Sequence, residues 1–175
     1  MERLIRIIEE PLKLLGRFEV ECVIIGGVAS TLYGSANLTN DLDVCYARNA
    51  VNLGKLAAAL QSVNAKLRNA PPELPFLLDA ETLRHGLNFT FSTEVGSIDL
   101  LGEVRGVGFY EDVITSAITY ELLGYLFPVI EINKLILAKR TAGRPKDLVV
   151  LPELEAIRER QLREAANELK TEDRE

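Results

Sequence analysis

Two aspartates interrupt an apolar strand pattern at Asp41-Leu42-Asp43-Val44-Cys45-Tyr46. Aspartate is depleted in strands, so a strand carrying two of them is constrained in how it can be placed. Side chains two residues apart leave a strand on the same face. Leu42 and Val44 therefore point into a core, and Asp41 and Asp43 project together on the other side. Like charges this close raise each other's pKa unless a positive charge lies between them. A divalent cation supplies that charge, and Mg²⁺ characteristically binds through one or two carboxylates plus substrate phosphates. An exposed strand end with two solvated aspartates fits the same spacing.

Two other segments bear on the choice. Ahead of the paired aspartates, Val20 to Ile25 reads as a strand, followed by Gly26-Gly27 and a short helix from Val28 to Tyr33. A strand ending in glycines at a helix start presents backbone N–H groups and the positive end of a helix dipole, which suits a phosphate. Ser30 and Thr31 add hydroxyls there. A tight turn that needs glycine for its backbone angles gives the same sequence. No GxGxxG and no GK[ST] follows. Further on, Ser97-Ile98-Asp99-Leu100-Leu101 places another acid in an apolar strand, as an edge aspartate or as a third carboxylate.

The remaining elements are read from periodicity. Leu4, Ile7, Ile8, Leu12 and Leu15 mark a first helix ended by Gly16, and Asn52 to Asn64 a second helix with Leu53, Leu56 and Leu60 on one face. Residues 70–75 form a proline-rich loop. Leu87 to Ser92 pairs with Ser97 to Leu101, and Ala117 to Leu123 with Leu126 to Ile132 around Gly124. Asn133 to Ala142 is a helix closed by Gly143 and Pro145. Glu153 to Lys170 is a last helix, with Leu154, Ile157, Leu162, Ala165 and Leu169 as a stripe expected to pack on the body. One α/β domain with a trailing helix accounts for the 175 residues.

Composition narrows the function. The net charge is −6, and eight acidic against five basic residues from Pro152 onward account for half of it. A general DNA coater, which depends on many phosphate contacts, is disfavoured. Two cysteines suit free thiols in a reducing compartment, and Cys22 and Cys45 read as small buried hydrophobes. No apolar run reaches membrane-spanning length and the N-terminus lacks a signal-peptide pattern, so a cytoplasmic protein is expected. The lone His85 excludes histidine-rich metal sites and reads as a surface residue. Lys134, Lys139, Arg140, Arg144 and Lys146 form a dense basic cluster: a solvated helix end, or one in which Lys139 and Arg144 meet a triphosphate or an RNA end. Asp147 is expected to cap the segment that follows it.

The combination of Ile25-Gly26-Gly27-Val28-Ala29, Thr39-Asn40-Asp41-Leu42-Asp43 and Ile98-Asp99-Leu100-Leu101-Gly102-Glu103 resembles the nucleotidyltransferase superfamily with the DNA polymerase β palm fold, in its minimal bacterial branch. Leu135 to Asp147 is similar to the C-terminal motif of toxin-related members. The resemblance implies an α+β palm with a mixed central sheet flanked by helices, as a nucleotidyltransferase-like domain over residues 1–151. Residues 152–175 would form a C-terminal helix and acidic tail packed on or extending it. It implies that Asp41, Asp43 and Asp99 are the catalytic and metal-binding carboxylates for Mg²⁺ or Mn²⁺. Gly26, Gly27, Ser30, Thr39, Lys139 and Arg144 are the expected contacts of a nucleoside triphosphate, whose nucleoside monophosphate passes to a hydroxyl on RNA, protein or a small molecule. A toxin or antitoxin partner belongs to the same implication. The chain departs from the pattern at Asn37, where members often carry Arg, and at Val150, where many carry an acid. The alternative is a catalytically weak or inactive nucleotide-binding, antitoxin-like interaction module of the same fold. It is separated from the enzyme by whether the three aspartates converge beside the Gly26-Gly27 turn.

Overall fold

The Asp41–Tyr46 strand is the centre of the molecule. In the computed structural model, which describes residues 2–37, 39–71 and 76–172 with end side chains only from Ile8 to Asn167, seven strands form one mixed sheet. In chain order they are β1 (Cys22–Ile24), β2 (Asp41–Tyr46), β3 (Lys66–Leu67), β4 (Asn88–Thr93) and β5 (Gly96–Leu101). A two-stranded ribbon follows, β6 (Glu103–Val104) and β7 (Gly108–Phe109), and then β8 (Ile118–Leu122) and β9 (Tyr125–Val129) return to the sheet. The sheet order is β3-β4-β5-β2-β1-β9-β8. β2 runs parallel to β5 and β1 parallel to β9, while the other neighbours are antiparallel.

Helices α1 (Glu2–Arg17), α2 (Gly26–Leu32), α3 (Ala50–Gln61), α4 (Ala80–His85), α5 (Tyr110–Ile114), α6 (Ile132–Ala142) and α7 (Pro145–Glu172) complete the fold. α1 lies against β2, β5 and β9, and α6 and α7 pack on one another. Leu42, Val44, Ile98 and Leu100 alternate out of β2 and β5 into the core and are fully buried. Burial of such side chains contributes ~1.5–3 kcal/mol each. Asn52 supports the far end of β2. Its buried amide donates to the carbonyls of Glu21 and Ala47 at 2.9 and 2.8 Å and accepts from the Glu21 N–H at 2.7 Å, joining the chain before β1 to the chain after β2.

The structure departs from the sequence expectations in four respects. Gly26 and Gly27 are the first residues of α2 rather than a turn before it. The last helix begins at Pro145, eight residues ahead of the expected Glu153, because proline is well tolerated in a first helical turn. Its apolar stripe packs only in part: Leu154 and Ile157 are buried, whereas Leu162 is 63% exposed and Ala165 is also exposed. The short elements β3, α4, β6, β7 and α5 carry too little periodicity to be read. The side chains of Leu4, Ile7 and Leu169, and residues 72–75 of the expected loop, lie outside the described residues. Cys22 and Cys45 are buried free thiols, each pushed up to about 12 chiefly by burial, and His85 is exposed on α4. Among the described residues no helix is long and apolar enough to cross a membrane.

Candidate active site

Strand register brings the acids together. Asp43 lies directly opposite Asp99 across the parallel β2–β5 pair, and Asp41 opposite Ser97. One carboxylate oxygen from each of Asp41, Asp43 and Asp99 falls within 4.8 Å of the others, so the three converge beside the start of α2. The same register sets Leu42 against Ile98 and Val44 against Leu100 in the core, so a one-residue slip would disperse the acids and expose the core together.

Gly26 and Gly27 are required by what stands next to them. Gly26 has φ +65°, and a Cβ added there would lie 2.1 Å from Asp43 Oδ2. At Gly27 an added Cβ would lie 2.6 Å from Thr39 Cβ. The diglycine lets the backbone of α2 reach the carboxylates, a closer approach than any side chain allows. The Gly27 backbone N–H supports the Asp43 carboxylate. Thr39 Oγ1 donates to Asp41 Oδ1 at 2.6 Å and so orients that carboxylate. The hydroxyls of Ser30 and Thr31 are turned back onto their own helix, donating to the carbonyls of Gly26 and Gly27 at 3.0 and 3.1 Å.

The site is electrostatically loaded. Asp43 is pushed up to about 7, first by burial and then by the charges of Asp41 and Asp99. Asp99 is also raised, again by burial first, with the Arg68 guanidinium opposing. Arg68, which follows β3, is the residue that sequence reasoning missed. It forms a tight ion pair with Asp99, and its other terminal nitrogen lies 3.9 Å from Asp41 Oδ2.

A second charged group faces the acids from α6 and α7. Asp147 is almost wholly buried and accepts from Arg144 Nε at 2.5 Å, with Lys139 Nζ 3.5 Å away. It therefore lies inside the first turn of α7 as an anchor for two cations rather than as the expected cap. Burial pushes the Lys139 ammonium down from its ordinary value, against the pull of Asp147. The basic cluster divides: Lys139, Arg144 and Lys146 reach the site, while Lys134 bonds to the Asp112 carbonyl and to Thr115, and Arg140 pairs with Glu155.

Two clefts meet at this point. A polar one of about 330 Å³ is lined by Gly26, Gly27, Ser30, Thr39, Lys139 and Arg144, together with Asp41 and Asp43. A more apolar one of about 410 Å³ runs from Asp43 and Asp99 between β4, the β6–β7 ribbon and α6. Gly26, Asp43, Lys139, Arg144 and Asp147 border both. The two departures noted above both line the polar cleft. Asn37 is tied to Glu153 of α7 by a 3.0 Å bond, alongside Ser35 at 2.6 Å and the Ala36 N–H at 2.8 Å. Val150 is buried at the edge of the polar cleft.

Among solved structures, the lincomycin-bound crystal structure of the lincosamide antibiotic adenylyltransferase LnuA superposes with a TM-score of 0.58 over 86% of this chain and 96% of that one. This chain has a nucleotidyltransferase fold. It is the polymerase β-like palm, with its mixed sheet flanked by helices, and at 15% sequence identity the likeness to LnuA is one of fold. The solution structure of the antibiotic-resistance factor ANT(2'')-Ia aligns with a TM-score of 0.49 and 14% identity over 95% of this chain and 96% of that one. The sequence matches no protein-family model and no curated protein.

Proposed function

We propose that the protein is a metal-dependent nucleotidyltransferase that moves a nucleoside monophosphate from a nucleoside triphosphate to a hydroxyl acceptor on RNA, protein or a small molecule. The observation that carries this reading is the convergence of Asp41, Asp43 and Asp99 within 4.8 Å at the junction of two clefts. An all-oxygen donor set of this kind fits Mg²⁺ or Mn²⁺. The raised pKa of Asp43 reflects its burial first and then the neighbouring charges of Asp41 and Asp99, both of which a bound cation would offset. Such an ion, when bound, neutralises phosphate charge and lowers the barrier to in-line displacement at phosphorus.

The protein groups divide the remaining work. In the polar cleft, the backbone of Gly26 and Gly27 and the side chains of Lys139 and Arg144 receive the β- and γ-phosphates and hold the departing pyrophosphate. Asp41 and Asp43 would hold the divalent ion that offsets the phosphate charge, with Thr39 fixing Asp41. In-line transfer needs nucleophile and leaving group on opposite sides of phosphorus, so the acceptor hydroxyl approaches from the Asp99 side. Asp99, with a raised pKa, takes the hydroxyl proton as the new P–O bond forms and the bond to pyrophosphate breaks. An inactive binding module has no physical need for three converging carboxylates, which favours the enzyme over that alternative.

Calorimetric titration of each nucleoside triphosphate with Mg²⁺ into wild type and into Asp41→Asn/Asp43→Asn tests the reading. Metal-dependent binding that the double variant loses supports it. Equal binding by both proteins, or none by either, contradicts it.

A further inference from the structure

The position of Arg68 is built into the sheet. Lys66 pairs with Ser92 and Leu67 with Phe91, so the chain continues with Arg68 beside Thr90, where the Arg68 N–H donates to the Thr90 carbonyl at 2.8 Å. Thr90 pairs with Asp99, and Asp99 with Asp43. Thr90, Asp99 and Asp43 therefore form one row across β4, β5 and β2, which Arg68, just past β3, continues. From the end of that row the guanidinium pairs with Asp99 and reaches to 3.9 Å from Asp41. That is the gap a cation shared between Asp41 and Asp99 would fill. Arginine keeps its charge at every working pH and spans two carboxylates with fixed geometry. Within ion-pair distance, three carboxylates less one guanidinium leave two negative charges, the complement of a single divalent ion.

We propose that Arg68 is a permanent positive centre of the carboxylate site, so that the chain takes one divalent ion per site rather than two. This rests on the nucleotidyl-transfer reading above. Arg68 is a positioning residue here. It holds Asp99 toward the acceptor side and leaves Asp41 and Asp43 to the one ion that accompanies the triphosphate.

The test is equilibrium dialysis of the full chain against Mn²⁺, alone and with each of the four α,β-methylene nucleoside triphosphates. Manganese is counted per chain by mass spectrometry, and the protein-free compartment is subtracted. Wild type is expected to retain one Mn²⁺ at saturation with the nucleotide it binds. Arg68→Gln and Arg68→Ala, checked for folding by circular dichroism, are expected to retain two. Two ions in wild type overturn the inference while leaving nucleotidyl transfer intact, and this count needs no variant. One ion in both wild type and the folded variants also overturns it, because Arg68 then does not set the number. No retained manganese in any of the proteins removes the underlying reading, and the inference with it.

Discussion

The two charged groups that face each other across the polar cleft have opposite balances. On the sheet, Asp41, Asp43 and Asp99 converge, and the guanidinium of Arg68 pairs with Asp99 and reaches toward Asp41. On the helices, the single carboxylate of Asp147 serves two cations, Lys139 and Arg144. The first group is short of positive charge and the second has it in excess. A ligand that brings a cation to one and phosphates to the other satisfies both, and a metal–triphosphate complex has that form. The comparison also separates two uses of a buried aspartate. Asp43 is disfavoured as an anion by burial and then by its neighbours, whereas Asp147 is held by its partners.

The largest effect is expected where the sheet group is dismantled. Asp41→Asn/Asp43→Asn should lower metal-dependent nucleotidyl transfer by about 10³-fold or more, read as product formed from labelled triphosphate once an acceptor is in hand. Asp147→Ala should destabilise the fold by ~2–4 kcal/mol in urea unfolding, since it leaves the buried Lys139 ammonium without its counter-ion. Arg144→Ala keeps the buried pair of Lys139 and Asp147, and should instead weaken triphosphate binding by about 10-fold with little change in stability. If Asp147→Ala weakened binding without loss of stability, the division between holding and binding would fail.

A smaller effect carries the opposite sign and sharpens the contrast. Asp43 has a folded-state pKa of about 7 against an ordinary 3.8. Between those values the folded protein binds a proton that the unfolded chain has released. The favourable contribution of this group is therefore present at low pH and is lost as pH rises through about 7. In metal-free buffer at pH 8, Asp43→Asn should thus stabilise the protein by ~1–2 kcal/mol, and the gain should shrink toward pH 4, measured by thermal unfolding at each pH. Mn²⁺ affinity of the wild type should rise with pH and level off above about 7, because the ion displaces that proton.

Local alternation made much of this legible in the sequence. Asp41 to Tyr46 is a strand with the expected faces, and Asp99 lies on a strand as its Ile98 and Leu100 neighbours require. The Gly26-Gly27 pair read as a phosphate turn or a tight turn, and its close approach to Asp43 and Thr39, which come from other parts of the chain, was not legible locally. Arg68 was hidden because the strand it follows is two residues long and its role depends on pairing through β4, which no local pattern encodes. Asp147 resembled a cap because Gly143 and Pro145 suggest a break. Its actual partners come from α6, eight residues earlier, and from Arg144. Leu162 satisfied a helical stripe, but α7 has no described body to pack against at that point, and periodicity alone does not say where a helix leaves the core.

The most direct test of the central claim is anomalous diffraction from crystals soaked with Mn²⁺ and the α,β-methylene analogue of whichever triphosphate binds. The expected result is a manganese peak between Asp41 and Asp43, with the phosphates running from it past Gly26 and Gly27 toward Lys139 and Arg144. A nucleotide bound elsewhere, or phosphates at those glycines with no manganese on the aspartates, would contradict the account.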